Sequence, residues 1–476
     1  MIIMRDYLLL YINGKKHIIK ANEAKKNLSS YLRENLNMKG TKIVCSEGDC
    51  GACTVLVKRF NDENFISVNS CILPLYLLDC CQIITIEGIE NDNLHQVQTL
   101  LSTYHGTQCG FCTPGFVNSM VYMCDDLILK KQLITEQKIK NYTTGNLCRC
   151  TGYKGIIQAG MNLDLSKIKT IKQRYETQEI KEAFNEALEN EVVLSNGETE
   201  LILPKDITKA IELKKSGFNV ISGGTDISVF VNKGYNKNKK FVSLNNISEL
   251  YIINDDEKFL EIGSKVTLTS FEKACKKDFP TFTQALRIFA SPQIKNIGTV
   301  IGNVANGSPI GDTMPLLYVS DAILELSGGN SRREVLIYDY YLGYKKFDLK
   351  DDEIITKIKV PKTSNEFKFY KVSARKDLDI SAVSLAISYK IEDEIIKDIS
   401  IAFGGVAATT YKAKQIEEFL INKEFSLENI KESKKIVSQI FTPFSDHRGS
   451  STYRIKLCEN LLLKFYNEVS SKVEVA

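Results

Sequence analysis

The sequence predicts a multidomain α+β chain, and three observations predict it. At 476 residues the chain is long enough for about three or four domains. Eleven of its thirteen cysteines lie before residue 151, so one part of the chain carries chemistry that the rest lacks. After residue 196 strands and helices alternate, with few cysteines and with glycine turns between apolar stretches.

The first segment, 5–88, reads as a small β-grasp unit of ferredoxin-like order. Tyr7 to Ile12 is a strand, Asn13-Gly14 a hairpin turn, and His17 to Lys20 the returning strand. Asn27 to Asn35 is a short helix, and Thr54 to Lys58 another strand. The second segment, 89–165, reads as four helices. Leu94, Val97, Leu100 and Leu101 fall at helical spacing in Asn93 to Tyr104. Pro114 suits the first turn of a helix through Asp125. Glu136 to Tyr142 and Ile156 to Leu163 continue the pattern. Residues 166–195, rich in lysine, read as a linker with some helix. Residues 196–364 and 365–470 then form two further domains, the last ending in an amphipathic helix through Phe465.

Cys45-Ser-Glu-Gly-Asp-Cys50-Gly-Ala-Cys53 has C-x4-C-x2-C spacing, with Cys71 following. This is the plant-type 2Fe–2S pattern. Three thiolates on one tight loop wrap a cluster and a fourth closes it. Gly48 and Gly51 let the loop turn sharply and aim N–H groups at sulfur. Zinc prefers paired C-x2-C knuckles, which this segment does not have. The second set is Cys109-Gly-Phe-Cys112 and, later, Cys148-Arg-Cys150. Here two helix starts present four thiolates, with N–H groups that favour negative charge. On spacing alone zinc competes with a 2Fe–2S cluster at this site. Cys80, Cys81, Cys124, Cys275 and Cys458 fall outside both patterns and read as buried small apolar residues.

The three motifs C-S-E-G-D-C-G-A-C, Q-C-G-F-C-T-P-G and G-N-L-C-R-C-T-G-Y together resemble the iron–sulfur portion of the xanthine dehydrogenase family of molybdenum hydroxylases. The resemblance implies a 2Fe–2S cluster at both sites. Downstream, Val220-Ile-Ser-Gly-Gly-Thr-Asp226 is a strand entering a glycine turn, and Phe289 to Asp312 is dense in small, hydrogen-bonding residues. Both stretches resemble the family's FAD domain, of the vanillyl-alcohol-oxidase-like fold, and the last hundred residues resemble its small C-terminal α+β flavoprotein domain. The match assigns Val220, Ile221, Ser222, Gly223, Gly224, Thr225 and Asp226, with Thr299, Gly302 and Asn303, to the FAD pyrophosphate and ribose. It assigns Asp312 to the adenosine side, Phe289 to the flavin's neighbourhood, Lys371 to the isoalloxazine edge and Ile355 to packing on the ring. One position departs from the family's Gly-Thr-x-Gly-Gly-Asn: residue 301 is Ile. A β-branched side chain does not easily take φ > 0. Either that position needs no such conformation or the pocket is locally altered.

The resemblance implies an electron-transfer subunit. Its order of domains matches the small subunit of the two-subunit members of the family. Electrons from a molybdenum centre on a large molybdopterin-binding partner pass through the helical-domain cluster, the ferredoxin-domain cluster and FAD to the co-substrate NAD+, in a heterotetramer. Two other readings are a related aldehyde or N-heterocycle hydroxylase with another acceptor, and a non-catalytic electron carrier. No catalytic residue is assigned, and His447 reads as a surface or packing residue. With 62 basic and 58 acidic residues and no long basic block, nucleic acid is not an expected partner. No apolar run approaches the roughly 20 residues of a membrane span, and no secretory signal is legible, so the chain is expected to be cytoplasmic.

Overall fold

The computed structural model describes residues 4–60, 62–90, 93–235, 238–329 and 331–473. The chain divides into two compact units. One is built from the chain up to Ser248 together with Ser291–Gly298; the other combines Glu249–Ala290 with the chain from Thr299 onward.

In the first unit a mixed five-stranded sheet has the order Lys15–Ile19, Leu8–Ile12, Cys81–Ile84, Thr54–Arg59 and Ile66–Asn69. Leu8–Ile12 is apolar throughout because both its faces are covered. Leu8, Leu10 and Ile12 pack with Leu28, Leu32, Val55 and Ile83. Leu9 and Tyr11 face the other way, onto Ile180 and Phe184 of the helix Gln178–Leu188. Asn13 and Gly14, at φ of 49° and 78°, make the tight turn that closes the first hairpin.

Four helices follow. Thr113–Leu129 is the longest, with Pro114 in its first turn. Its Phe116, Met120 and Leu127 pack with residues of the other three, Gln96–Thr103, Glu136–Thr143 and Lys154–Met161. Thr135 caps Glu136–Thr143 by accepting from Lys138 N. His95 caps the first with its ring nitrogen, so this histidine serves the helix rather than a metal.

Residues 166–195 contain more order than their polar composition suggests. They include the helices Ile171–Tyr175 and Gln178–Leu188, each with a threonine N-cap, and the strand Glu191–Ser195. That strand pairs in parallel with Met4–Arg5, in a second sheet of order Met4–Arg5, Glu191–Ser195, Glu200–Leu203, Lys240–Ser243 and Asn219–Ile221. Arg5 reaches from this sheet to Asp79 through two hydrogen bonds of 2.8 and 2.7 Å. Both side chains are buried, and Asp79 also accepts from Leu9 N.

The second unit carries a five-stranded sheet of order Ile253–Asp255, Phe259–Gly263, Ile354–Pro361, Ile323–Ser327 and Arg332–Leu336. A four-stranded antiparallel sheet follows, Glu366–Val372, Val383–Glu392, Ile395–Gly404 and Tyr411–Lys412. The helices Lys414–Leu420, Leu427–Ile440 and Ser451–Val473 share a core with it. Fully buried Arg454 donates to the Ala382 and Gly405 carbonyls and to Asp446. His447 is exposed. Cys80, Cys81, Cys124, Cys275 and Cys458 are all buried, as small apolar residues should be.

Candidate iron–sulfur and flavin centres

The loop 45–53 forms because two of its glycines take conformations that other residues avoid. Gly48 and Gly51 sit at φ of 77° and 69°. The tight path draws the thiols together. Cys45 lies in hydrogen-bonding contact with Cys50 and Cys71, and Cys71 also with Cys53. Those contacts hold the Cys45 thiol far below the ordinary range, and Glu47 N adds a hydrogen bond to its sulfur at 3.4 Å. Cys71 is pushed the other way because it donates to its neighbours. Cys53 and Cys71 are buried behind Ile72, Val229 and Ile294.

The second set forms around two helix starts. Cys112 is the N-cap of Thr113–Leu129, and Cys148 and Cys150 stand just before Lys154–Met161. Gly110 and Gly152, at φ of 80° and 61°, turn the chain beside them. The Cys150 and Cys109 sulfurs are 3.6 Å apart. Two thiolates on one tetrahedral metal with bonds of about 2.3 Å lie roughly 3.7 Å apart, so this pair fits a shared iron. Burial, and then a hydrogen bond to Cys148, push the Cys112 thiol up to about 12. Cys148 is lowered: partial burial opposes this, but the Thr151 hydroxyl at 3.1 Å and backbone donors outweigh it. Among the described residues no three metal-ligating side chains converge as they would on a single ion. The thiols of each set lie side by side instead, which suits a cluster two irons wide.

The two cysteine loops touch backbone to backbone. A Cβ on Gly51 would meet the Gly145 carbonyl at 2.2 Å, and one on Gly115 would meet the Gly51 carbonyl at 2.3 Å. Leu147 N donates to the Cys50 carbonyl at 3.0 Å. Asn146 Nδ2 donates to the Gly51 carbonyl, also at 3.0 Å. Sequence reasoning did not single out these amides, nor Asn232, whose Nδ2 donates to the Ser46 and Cys71 carbonyls at 2.8 and 2.9 Å. Their partners are remote in the chain, so no spacing motif marks them.

The residues assigned to FAD divide between the two units. In the first, Val220, Ile221 and Ser222 lead out of the strand Asn219–Ile221 into Gly223-Gly224. A Cβ on Gly223 would meet the Ile297 carbonyl at 2.4 Å, so the turn has no room for a side chain. Gly224, at φ 73°, starts the helix Thr225–Asn232 without a side-chain cap. This leaves backbone N–H groups at a helix start beside Thr225 and Asp226, a setting that suits a phosphate. Val229 of the same helix packs on the first thiol set.

In the second unit Thr299 caps the helix Val300–Asn306 through its hydroxyl to Gly302 N at 3.0 Å. Asn303 accepts from the Thr313 hydroxyl at 2.5 Å. Ile301 lies inside this helix and in the core, so its position needs no positive φ and the β-branch costs nothing there. Phe289 packs half-buried on that core and Ile355 is buried in it. Asp312 and Lys371 form a buried ion pair of 2.7 Å, and the Ser381 hydroxyl also donates to Asp312. The resemblance assigns these two to opposite ends of the cofactor. The structure joins them in one ion pair.

Four family models match in chain order. They are the 2Fe-2S iron-sulfur cluster binding domain over residues 10–76 and the [2Fe-2S] binding domain over 85–161, followed by the FAD binding domain in molybdopterin dehydrogenase over 197–363 and the CO dehydrogenase flavoprotein C-terminal domain over 368–469. Xanthine dehydrogenase of Oryza sativa subsp. japonica is 30% identical over 98% of this chain and 40% of its own length. Aldehyde oxidase 4 of Mus musculus is 28% identical over 98% of the chain and 39% of its own length. The chain thus spans about two-fifths of the curated relatives it matches. Among solved structures, carbon monoxide dehydrogenase from Hydrogenophaga pseudoflava aligns with a TM-score of 0.54 and 23% identity, covering 56% of this chain and 96% of that one. Quinoline 2-oxidoreductase from Pseudomonas putida 86 aligns at 0.53 and 20%, covering 57% and 96%. These two show a shared fold.

Ferredoxin-like and helical 2Fe–2S domains followed by FAD-binding domains define an iron–sulfur flavoprotein of the oxidoreductase class. The chain belongs to the molybdenum hydroxylase family, as its iron–sulfur and flavin portion.

Proposed function

We propose that this chain is the electron-transfer subunit of a xanthine dehydrogenase-like enzyme, taking electrons from a molybdenum centre on a large partner and delivering them to NAD+. The observation that carries this reading is the assembly of eight thiols into two sets whose loops touch at Gly51 and Gly145. In this reading Cys45, Cys50, Cys53 and Cys71 hold one cluster, and Cys109, Cys112, Cys148 and Cys150 the other. The work divides among domains at 5–88, 89–165, 196–364 and 365–470. When bound, the clusters supply single-electron carriage and the flavin supplies the conversion to a two-electron hydride.

The chain's own residues bind, orient and shield. Gly223 and Gly224 keep side chains away from the phosphate-binding turn. Asp312 and Lys371 hold each other in place as a fixed charged pair in a dry setting. Ile72, Val229 and Ile294 keep water from Cys53 and Cys71. The partner is a molybdopterin-binding chain, the assembly a heterotetramer and the location the cytoplasm; thirteen free thiols agree with a reducing compartment.

Anaerobic addition of NADH to the purified flavin-loaded protein tests the acceptor. Bleaching of the flavin band is expected. Bound flavin that NADH leaves oxidised would sink the NAD+ assignment and favour a second reading with another acceptor, which the aldehyde oxidase relative supports.

A further inference from the structure

Gln293 is fully buried, and its chain neighbours place it among the residues assigned to the flavin half. The structure places it elsewhere. The segment Ser291–Gly298 belongs to the first compact unit, and its helix Pro292–Lys295 carries Gln293 to where the two cysteine loops meet. Gln293 Nε2 lies 3.2 Å from Thr54 Oγ1, 3.3 Å from Ser119 Oγ and 3.0 Å from Asn146 Oδ1. Thr54 directly follows Cys53. Asn146 stands two residues before Cys148, and Ser119 lies on the helix that Cys112 caps.

The proton count fixes the amide's orientation. Thr54 Oγ1 donates to the Gly51 carbonyl at 2.6 Å, and Ser119 Oγ donates to Asn146 Oδ1 at 2.7 Å. Both hydroxyl protons are therefore used, and the three atoms around Gln293 are acceptors. An NH2 group supplies two protons for them to share; a carbonyl there would face three lone pairs. The Gln293 Oε1 points instead at Gly145, where a Cβ would stand 2.1 Å away. Gly145 is thus the residue that admits the amide, and Gln293, from outside both loops, joins the direct links that Asn146 and Leu147 make between them.

We propose that Gln293 is a positioning residue that sets the placement of the two cysteine sets relative to each other. One amide, donating to both loops at once, makes a shift of either loop felt by the other. Asn232 differs, because its Nδ2 ties the carbonyls of Ser46 and Cys71 and its Oδ1 accepts from Asn27, all in the first set's surroundings. The inference rests on the reading of the eight cysteines as two 2Fe–2S sites.

The test uses the purified full chain and its two EPR signals after dithionite reduction, assigned with a Cys109→Ser variant. Gln293→Met keeps the length of the side chain and removes the donors. It is expected to shift or broaden both signals together, while Asn232→Ala alters the first site's signal alone. Gln293→Glu, which puts an oxygen with at most one proton in place of the NH2 group, is expected to fail to restore the wild-type spectra. Both signals unchanged in Gln293→Met, or a change at one site only, overturns the proposal. Should Gln293→Met not accumulate, Ser119→Ala removes one member of the same network, and the same joint shift is required of it. Wild-type protein without iron and labile sulfide would instead refute the cluster reading itself.

Discussion

The two thiol sets share two half-buried cysteines each and differ in the other two. In the first, Cys53 and Cys71 are 2% and 3% exposed and lie under Ile72, Val229 and Ile294. In the second, Cys109 and Cys150 are exposed, and Phe111 and Leu147 nearby are 46% and 45% exposed. The difference follows from the scaffolds. A β-grasp sheet with both faces covered buries the end of the loop, Gly51 to Cys53, that leads into Thr54–Arg59. The turns before two helix starts project outward from a bundle whose core lies along the helices. Two of four thiols are thus part of a core in the first set, and two of four stand at the surface in the second.

The sharpest way to break that comparison is to remove one thiol from each set. Cys71→Ser and Cys109→Ser are each expected to halve the iron, from about four to about two per chain. Cys71→Ser is also expected to destabilise the fold, because it puts a hydroxyl among buried groups, and Cys109→Ser to leave melting almost unchanged. Equal melting temperatures for the two variants would show that burial does not distinguish the sites. Next in size is Asp79→Ala. It leaves the Arg5 guanidinium buried without its partner, at a cost of about 3–5 kcal/mol in denaturant titration. A loss below 1 kcal/mol would show that water reaches this side of the first domain.

The helical domain has its own buried charge. Burial raises Asp125 from 3.8 to about 7, against the opposing Ile171 N–H and Arg174 and with the help of Asp126. The native state therefore holds a proton that the unfolded chain releases, and stability falls as pH rises from about 4 to about 7. Asp125→Asn is expected to be more stable than wild type above that window, by up to roughly 4 kcal/mol, with the gain gone near pH 4. Parallel stability curves from pH 4 to 8 would contradict it. The smallest effect is expected of Thr135→Ala, about 1 kcal/mol for a lost N-cap, with Thr135→Ser restoring most of it. Circular dichroism melts of the three proteins measure it.

Much of the fold was legible because local physics agrees with the tertiary result. Asn13-Gly14 turns a hairpin, Pro114 opens a helix, and the leucines and the isoleucine of Leu8–Ile12 lie in cores. Elsewhere composition disclosed some helix but not what it covers. Residues 166–195 are polar because their helices are half-exposed, yet Ile180 and Phe184 cover a sheet face. The turn at residue 301 looked strained only under an assumed positive φ; a helical backbone removes the question.

By itself the sequence determined the two thiol groupings, since a loop of nine residues with glycines at 48 and 51 has few ways to fold. It also determined the order of domains, which family-length motifs record. Only the tertiary structure decided which thiols are dry, and that Asp312 and Lys371 share one place. It alone decided that Gln293 stands between the cysteine loops, 239 residues from Thr54. The physical reason is range. Turns and caps are settled by neighbours along the chain, whereas desolvation and amide pairing are settled by whatever the completed fold brings alongside.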